Sequence, residues 1–433
     1  MTPPTPKGTD GALTVQPAHG LRGRLRVPGD KSISHRAALL AALAEGTSHL
    51  RGLSSGADVA HTLAAVAACG AELEGQPPGA VTVRGGALHE PAAVLDVGNS
   101  GTAIRLLAGW SAARPWLTVL QGDTSVATRP MARVTEPLRA MGARVDGRDG
   151  GRYPPLVVRG GGLRGIDFSP PVPSAQVKSA LLLAGLGADG PTTVRETIPT
   201  RAHTEELLAL AGGRLSVEGN AVTVSPGGLH AFDLEVPGDP SQAAFWVVAA
   251  CVVPGSDLVV EHVYVGPGRA GFLDVLTRMG ADVTLERADP AARTADIRAR
   301  GSRLVASDVG GAEVPGLIDE IPVLAVAAAH AEGTTTFSDA AELKVKESDR
   351  IATVTSELSA LGAQVESRDD GLAVTARGGR LRGGTVTSHG DHRIAMALAV
   401  AGLAAAGPVR IEGWDAVATS YPGFEQDLQR CVS

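Results

Sequence analysis

Lys31, Ser32 and Arg36 stand between the turn-forming pair Pro28-Gly29 and an apolar run from Ala37 to Ala44. Leu25 and Val27 read as the end of a strand, so the stretch is strand, turn, then a buried helix with a basic first turn. Ser32 and Arg36 are four apart and share a helix face. A helix N-terminus attracts anions through its free N–H groups and its dipole. Cations stabilise the opposite end, so Lys31 and Arg36 do little for the helix itself. The economical reading is a site for an anionic ligand. A solvated basic turn would have the same composition, and these residues alone leave both readings open.

Other turns enter apolar helices in the same way. Gly98-Asn99-Ser100-Gly101-Thr102 is a Gly-rich turn whose N–H groups could cradle a phosphate, but it lacks the Lys of a Walker A loop. Arg129 precedes Pro130 and is therefore extended, a geometry that suits a bidentate anion clamp. Ser174 reads as an N-cap, with Gln176 and Lys178 in the first turn behind it. Asp319 and Glu320 precede another apolar helix; acids there are ordinary capping chemistry, or a carboxylate that orders hydroxyls and accepts a proton. In Glu342-Leu-Lys-Val-Lys346-Glu347-Ser-Asp-Arg350 a carboxylate sits between two cations, which would keep it ionised. Ser388-His-Gly-Asp391-His392-Arg393 leads into small apolar residues from Ile394 to Ala406, where solubility requires no Arg. No Ser-His-Asp elbow, metal-ligand set or dinucleotide fingerprint is present. The sum points to a cleft lined by helix starts and cations, suited to a ligand with several phosphates or carboxylates.

The elements that must position these residues repeat. Val66-Ala-Ala-Cys-Gly70 is echoed by Leu138–Gly142, Leu208–Gly212, Leu276–Gly280 and Leu358–Gly362, each a helix ending on Gly before a strand. The spacing suits β-α-β-α-β-type units. Val27-Pro-Gly-Asp30 recurs as Val236-Pro-Gly-Asp239, again ahead of an apolar helix, which marks two homologous halves. Crossings between domains are expected near Arg26–Pro28 and Val236–Gly238. One domain would comprise residues 1–26 and 237–433, the other 27–236, with the substrate cleft between them. The 433 residues are 44% hydrophobic, enough for large cores, and the net charge of −7 opposes a general nucleic-acid binder. Cys69, Cys251 and Cys431 lie far apart with no zinc spacing, which fits a reducing cytoplasm. No membrane span is expected, and Met1–Gly20 has no targeting pattern.

Taken in order, Pro28–Arg36, Gly98–Thr102, Arg129-Pro-Met, Ser174-Ala-Gln-Val-Lys-Ser, Leu343–Arg350 and Gly390–Arg393 resemble the 5-enolpyruvylshikimate-3-phosphate (EPSP) synthase family of enolpyruvyl transferases. The likeness runs from about Val15 to the C-terminus. It implies a two-domain inside-out α/β barrel, each domain built of three β-α-β-α-β-β repeats. It implies transfer of the enolpyruvyl group of phosphoenolpyruvate to the 5-hydroxyl of shikimate 3-phosphate through a tetrahedral ketal, in aromatic amino acid biosynthesis. By position, shikimate 3-phosphate would meet Lys31, Ser32, Arg36, Ser174, Ala175, Gln176, Thr200, Arg201, Asp319, Glu342 and Lys346. Phosphoenolpyruvate would meet Lys31, Asn99, Gly101, Arg129, Gln176, Arg350 and Arg393. Asp319, Glu347 and Lys31 would be catalytic. No metal or organic cofactor, nucleic acid or membrane is implied, and a cytoplasmic monomer is expected. Gly101 leaves room where glyphosate-resistant members carry Ala, which implies sensitivity to that herbicide. Ala175, Thr200, Arg201 and Glu342 depart from residues common in other members. The sister family that uses a UDP-sugar carries a Cys in the region of Gln121–Arg129, which this chain lacks.

Overall fold

A helix that is apolar on every side has no face to give to water and must lie in a core. Six such helices occur in the computed structural model, which describes residues 11–377 and 379–432: Lys31–Leu43, Gly101–Ala112, Ala175–Gly185, Pro240–Val252, Ile321–Ala329 and His392–Ala404. Every residue from Ser32 to Leu43, and every residue from His392 to Ala404, is buried.

The described chain divides into two compact units. One comprises Val27–Pro240 and Tyr264–Ala270; the other comprises residues 11–26, Ser241–Val263 and 271–432. The second crossing therefore falls after Pro240, later than the Val236–Gly238 expected from the sequence. Tyr264–Ala270 joins the first unit, an excursion that no sequence signal announced. Residues 1–10, which hold half of the stretch read for a targeting pattern, lie outside the described residues.

In the unit built on Val27–Pro240, three sheets share one plan. Leu95–Asp96, Leu117–Gln121, Tyr153–Arg159 and Arg144–Gly147 lie in that order, the first pair parallel and the others antiparallel. Asp167–Phe168, Thr192–Arg195, Ala221–Val224 and Leu215–Glu218 repeat it. So do Asp233–Glu235, Gly46–Arg51, Val81–Gly85 and Glu72–Gly75, where the last strand of the unit pairs with the first. A parallel pair needs a crossover, and in each sheet one of the buried helices supplies it or precedes it. The helices fill the interior and the sheets face outward, the inside-out arrangement. The other unit also has three sheets. One of them is completed by the N-terminal strand Ala12–Val15, antiparallel to Val409–Glu412.

The five echoed glycines have the role their spacing suggests. Gly70, Gly142, Gly212, Gly280 and Gly362 have φ of 101°, 109°, 73°, 82° and 89°, and each ends an outer helix ahead of a strand. No helix among the described residues is long and apolar enough to cross a membrane.

Packing among the inner helices depends on small residues. Trp110 donates its indole N–H to the Leu39 carbonyl at 3.2 Å. A Cβ added to Gly109 would lie 2.0 Å from the Ala180 carbonyl oxygen, a backbone atom that cannot swing away. Gly109→Ala is therefore expected to separate helices Gly101–Ala112 and Ala175–Gly185 and to cost about 1–3 kcal/mol or more by overpacking, although Ala is the better helix former. Thermal melting checks this; an unchanged or raised midpoint would contradict the packing described.

Candidate active site

The helix starts carry two clusters of charged residues, one in each unit. In the unit of Val27–Pro240, Asp30 caps helix Lys31–Leu43 by accepting from Ile33 N–H at 2.8 Å. Lys31 is the first helical residue, and its ammonium pairs with Asp58 Oδ2 at 3.0 Å. Arg36 lies one turn on and is 2% exposed. Its guanidinium donates to Thr204 Oγ1 at 2.7 Å, Ser179 Oγ at 2.7 Å and the Ser32 carbonyl at 2.8 Å. Among the described residues no carboxylate stands within ion-pair distance of it. Burial and the neighbouring Arg201 guanidinium push its pKa down to about 10, so it stays charged at neutral pH. Arg201 donates to Ser32 Oγ at 3.0 Å. Ser32, Arg36 and Arg201 thus form one connected group.

The next two helix starts join each other. Ser100 caps helix Gly101–Ala112 by accepting from Ala103 N–H at 3.1 Å, and Ser174 caps helix Ala175–Gly185 by accepting from Val177 N–H. Gln176 donates to Thr102 Oγ1 at 2.9 Å and accepts from Arg105 Nη1 at 2.7 Å. Arg129 has the extended backbone that Pro130 demands, φ −76° and ψ 137°. It donates to Asn99 Oδ1 at 2.9 Å and Ser125 Oγ at 3.0 Å, while Asn99 donates to Asp123 at 2.6 Å. A Cβ on Gly101 would stand 2.6 Å from Arg129 Nη1. His35, buried between Thr62 Oγ1 at 2.7 Å and Ser100 Oγ at 3.5 Å, ties this group to the Lys31 helix. Burial and the nearby Lys31 and Arg36 hold its pKa well below the usual imidazole range, so it is neutral.

Two expected residues are arranged otherwise than their types suggest. Thr200 turns its hydroxyl to Glu196 Oε1. Lys178, which the sequence placed in the same polar turn as Gln176, is buried in pairs with Glu196 at 2.7 Å and Glu205 at 2.6 Å. Ala175 is half-buried at the first helical position and offers only main-chain groups.

In the other unit the carboxylates outnumber the cations. Asp391 caps helix His392–Ala404, accepting from Arg393 N–H at 2.9 Å. Arg350, 1% exposed, meets Asp391 at 2.8 Å, Glu347 at 2.6 Å and Asp319 Oδ1 at 3.2 Å. Burial works against its charge, but these three acids outweigh it and raise its pKa. Lys346 reaches Asp319 Oδ1 at 3.2 Å, and Arg393 Nη2 lies 3.9 Å from Asp319 Oδ2. Arg393 also donates to the Asp319 carbonyl at 3.2 Å. Asp319 is therefore the hub on which Lys346, Arg350 and Arg393 converge. Glu342 is half-buried on the 3-10 turn Ala341–Val345. Lys346 ends that turn and Arg350 opens helix Arg350–Ala360.

Sequence reasoning did not single out Asp58, Ser179, Thr204, Asp239 or Arg269 as partners in these groups. Each lies far along the chain from what it holds, and only the repeat of Val-Pro-Gly-Asp hinted at Asp239. Ser179 and Asp391 stood inside motifs read from the sequence, and capping rules could have given Asp391 its role. Among the described residues no group of three or more His, Cys, Asp or Glu is placed to hold a metal ion.

Comparison with known proteins gives the same family as the motifs. The family model for EPSP synthase (3-phosphoshikimate 1-carboxyvinyltransferase) matches residues 15–428. A 3-phosphoshikimate 1-carboxyvinyltransferase of Gloeobacter violaceus is 52% identical over 97% of this chain and 98% of its own length. One from Geobacillus kaustophilus is 50% identical over 94% of this chain and 97% of its own. The solved EPSP synthase of Acinetobacter baumannii is 41% identical, with a TM-score of 0.86 over 97% of this chain and 98% of that one. With that match covering nearly its whole length, this chain belongs to the EPSP synthase (3-phosphoshikimate 1-carboxyvinyltransferase) family.

Proposed function

We propose that this chain is an enolpyruvyl transferase that joins phosphoenolpyruvate to the 5-hydroxyl of shikimate 3-phosphate and releases phosphate. The observation that carries this reading is Arg36, a buried guanidinium supported only by hydroxyls and a carbonyl, with Ser32 and Arg201 beside it. A buried cation without a carboxylate is costly unless an anion completes it. The phosphate of shikimate 3-phosphate is such an anion, and Arg presents a planar donor set that suits it.

Lys31, Ser32, Arg36, Ser174, Ala175, Gln176, Thr200 and Arg201 would hold shikimate 3-phosphate, with Asp319, Glu342 and Lys346 on its ring hydroxyls. Lys31, Asn99, Gly101, Arg129, Gln176, Arg350 and Arg393 would hold phosphoenolpyruvate. The 5-hydroxyl oxygen bonds to the enol carbon and gives its proton to Asp319. The double-bond electron pair takes a proton at the methylene, leaving a phosphate ketal with a methyl group. Glu347 and Lys346 handle that proton, and its removal later expels inorganic phosphate and restores the double bond. Fixed cations stabilise charge at both steps without reorganising. The reading makes the chain a target for glyphosate, and its substrates are small molecules.

Phosphate release in a mixture of chain, shikimate 3-phosphate and phosphoenolpyruvate tests the proposal. Release is expected only when both substrates are present; release with a UDP-sugar acceptor instead would contradict it. A second test concerns Gly101. An added methyl group must displace the Arg129 guanidinium, so Gly101→Ala is expected to raise KM for phosphoenolpyruvate about ten- to a hundredfold, the cost of a misplaced binding group. KM for shikimate 3-phosphate should hardly move. An unchanged phosphoenolpyruvate KM would remove Arg129 from that subsite.

A further inference from the structure

The excursion Tyr264–Ala270 lies against the shikimate-side cluster at several points. Arg269 is 1% exposed and bridges two carboxylates, Asp30 Oδ2 at 2.8 Å and Asp239 Oδ1 at 2.7 Å. Each of those carboxylates uses its other oxygen on the start of helix Lys31–Leu43. Asp30 Oδ1 accepts from Ile33 N–H at 2.8 Å, and Asp239 Oδ2 accepts from Lys31 N–H at 3.0 Å. The two Val-Pro-Gly-Asp copies are themselves joined through their main chains. Asp30 N–H donates to the Pro237 carbonyl at 2.7 Å and Asp239 N–H to the Pro28 carbonyl at 2.9 Å.

The rest of the segment reaches Arg201 and the helix that supports Arg36. Tyr264 donates its hydroxyl to Glu206 at 2.8 Å and sets its ring edge-on to His203, 4.9 Å between centroids. Both partners sit on helix His203–Leu210, whose Thr204 accepts from Arg36. Gly268 has φ +71°, and a Cβ there would lie 3.2 Å from Arg201 N, so the segment presses on the Arg201 backbone where only Gly fits comfortably.

We infer that Tyr264–Ala270 is a positioning strap for the anion subsite formed by Lys31, Ser32, Arg36 and Arg201, and that Arg269 is its principal positioning residue. Arg269 touches no substrate in this account. It fixes two carboxylates, the carboxylates fix the first turn of the helix, and that turn aims Lys31 and Ser32. Both bonds leave one nitrogen, Nη2, at the far end of the guanidinium, and the shorter Lys side chain leaves its ammonium short of that point.

The inference rests on the proposed function, so shikimate 3-phosphate is the probe. Calorimetric titration would compare the unaltered chain with Arg269→Lys, Arg269→Met and a control, Leu156→Ala, which empties core space in the same unit. Both Arg269 variants are expected to bind shikimate 3-phosphate about ten- to a hundredfold more weakly. The control should keep its affinity despite a lowered melting midpoint. Arg269→Lys keeps the charge, so the test stands even where Arg269→Met fails to fold. Unchanged affinity in Arg269→Lys would overturn the inference, as would an equal loss in the control. Absence of binding by the unaltered chain would instead contradict the functional reading itself.

Discussion

A helix buried along its length still has N–H groups at its start that need acceptors, and burial leaves few of them to water. That constraint organises both units. Ser100 and Ser174 meet it with hydroxyls, and Asp30, Asp239 and Asp391 with carboxylates. A buried carboxylate then needs a cation of its own. Arg269 answers Asp30 and Asp239, and Arg350 answers Asp391. Cations collect at these helix starts partly because the caps call for them, a cause independent of any ligand.

That cause separates the cations into two kinds. Arg269 and Arg350 are matched by carboxylates, and for Arg350 the match is close enough to raise its pKa despite full burial. Arg36 is matched only by neutral oxygens, and burial with Arg201 nearby lowers its pKa. The same residue type, buried to the same degree, is shifted in opposite directions by its partners. Arg269 holds the frame, Arg350 holds it while also standing among the residues proposed for phosphoenolpyruvate, and Arg36 is the one proposed to take an anion from outside. The clusters differ accordingly: one offers Arg36 and Arg201 around Ser32, the other gathers Lys346, Arg350 and Arg393 on Asp319, where a carboxylate could exchange protons with a substrate.

The inner helices and the five helix-ending glycines were legible in the sequence because each depends on a few neighbouring residues. Ala37–Ala44 has no polar face, so burial followed; a Gly that closes an apolar helical run just ahead of a strand reads as a helix end. The caps at Ser174 and the extended Arg129 follow from the same local rules. What remained hidden was pairing across long stretches of chain. Nothing near Arg269 says that it joins Asp30 to Asp239, and nothing near Lys178 says that it is buried in pairs with Glu196 and Glu205. The density of motif charges pointed to one kind of site, whereas Lys31, Lys178, Lys346, Arg350 and Arg393 all have carboxylate partners that set their role.

On the proposed function, Arg36 is kept charged and without a carboxylate so that a substrate phosphate can complete it. Binding of shikimate 3-phosphate and of shikimate, measured on the unaltered chain and on Arg36→Met, tests it most directly. The phosphate is expected to strengthen binding to the unaltered chain about a hundredfold or more, and Arg36→Met to remove most of that difference. Equal binding of the two ligands, or an undiminished preference for the phosphate in Arg36→Met, would contradict it.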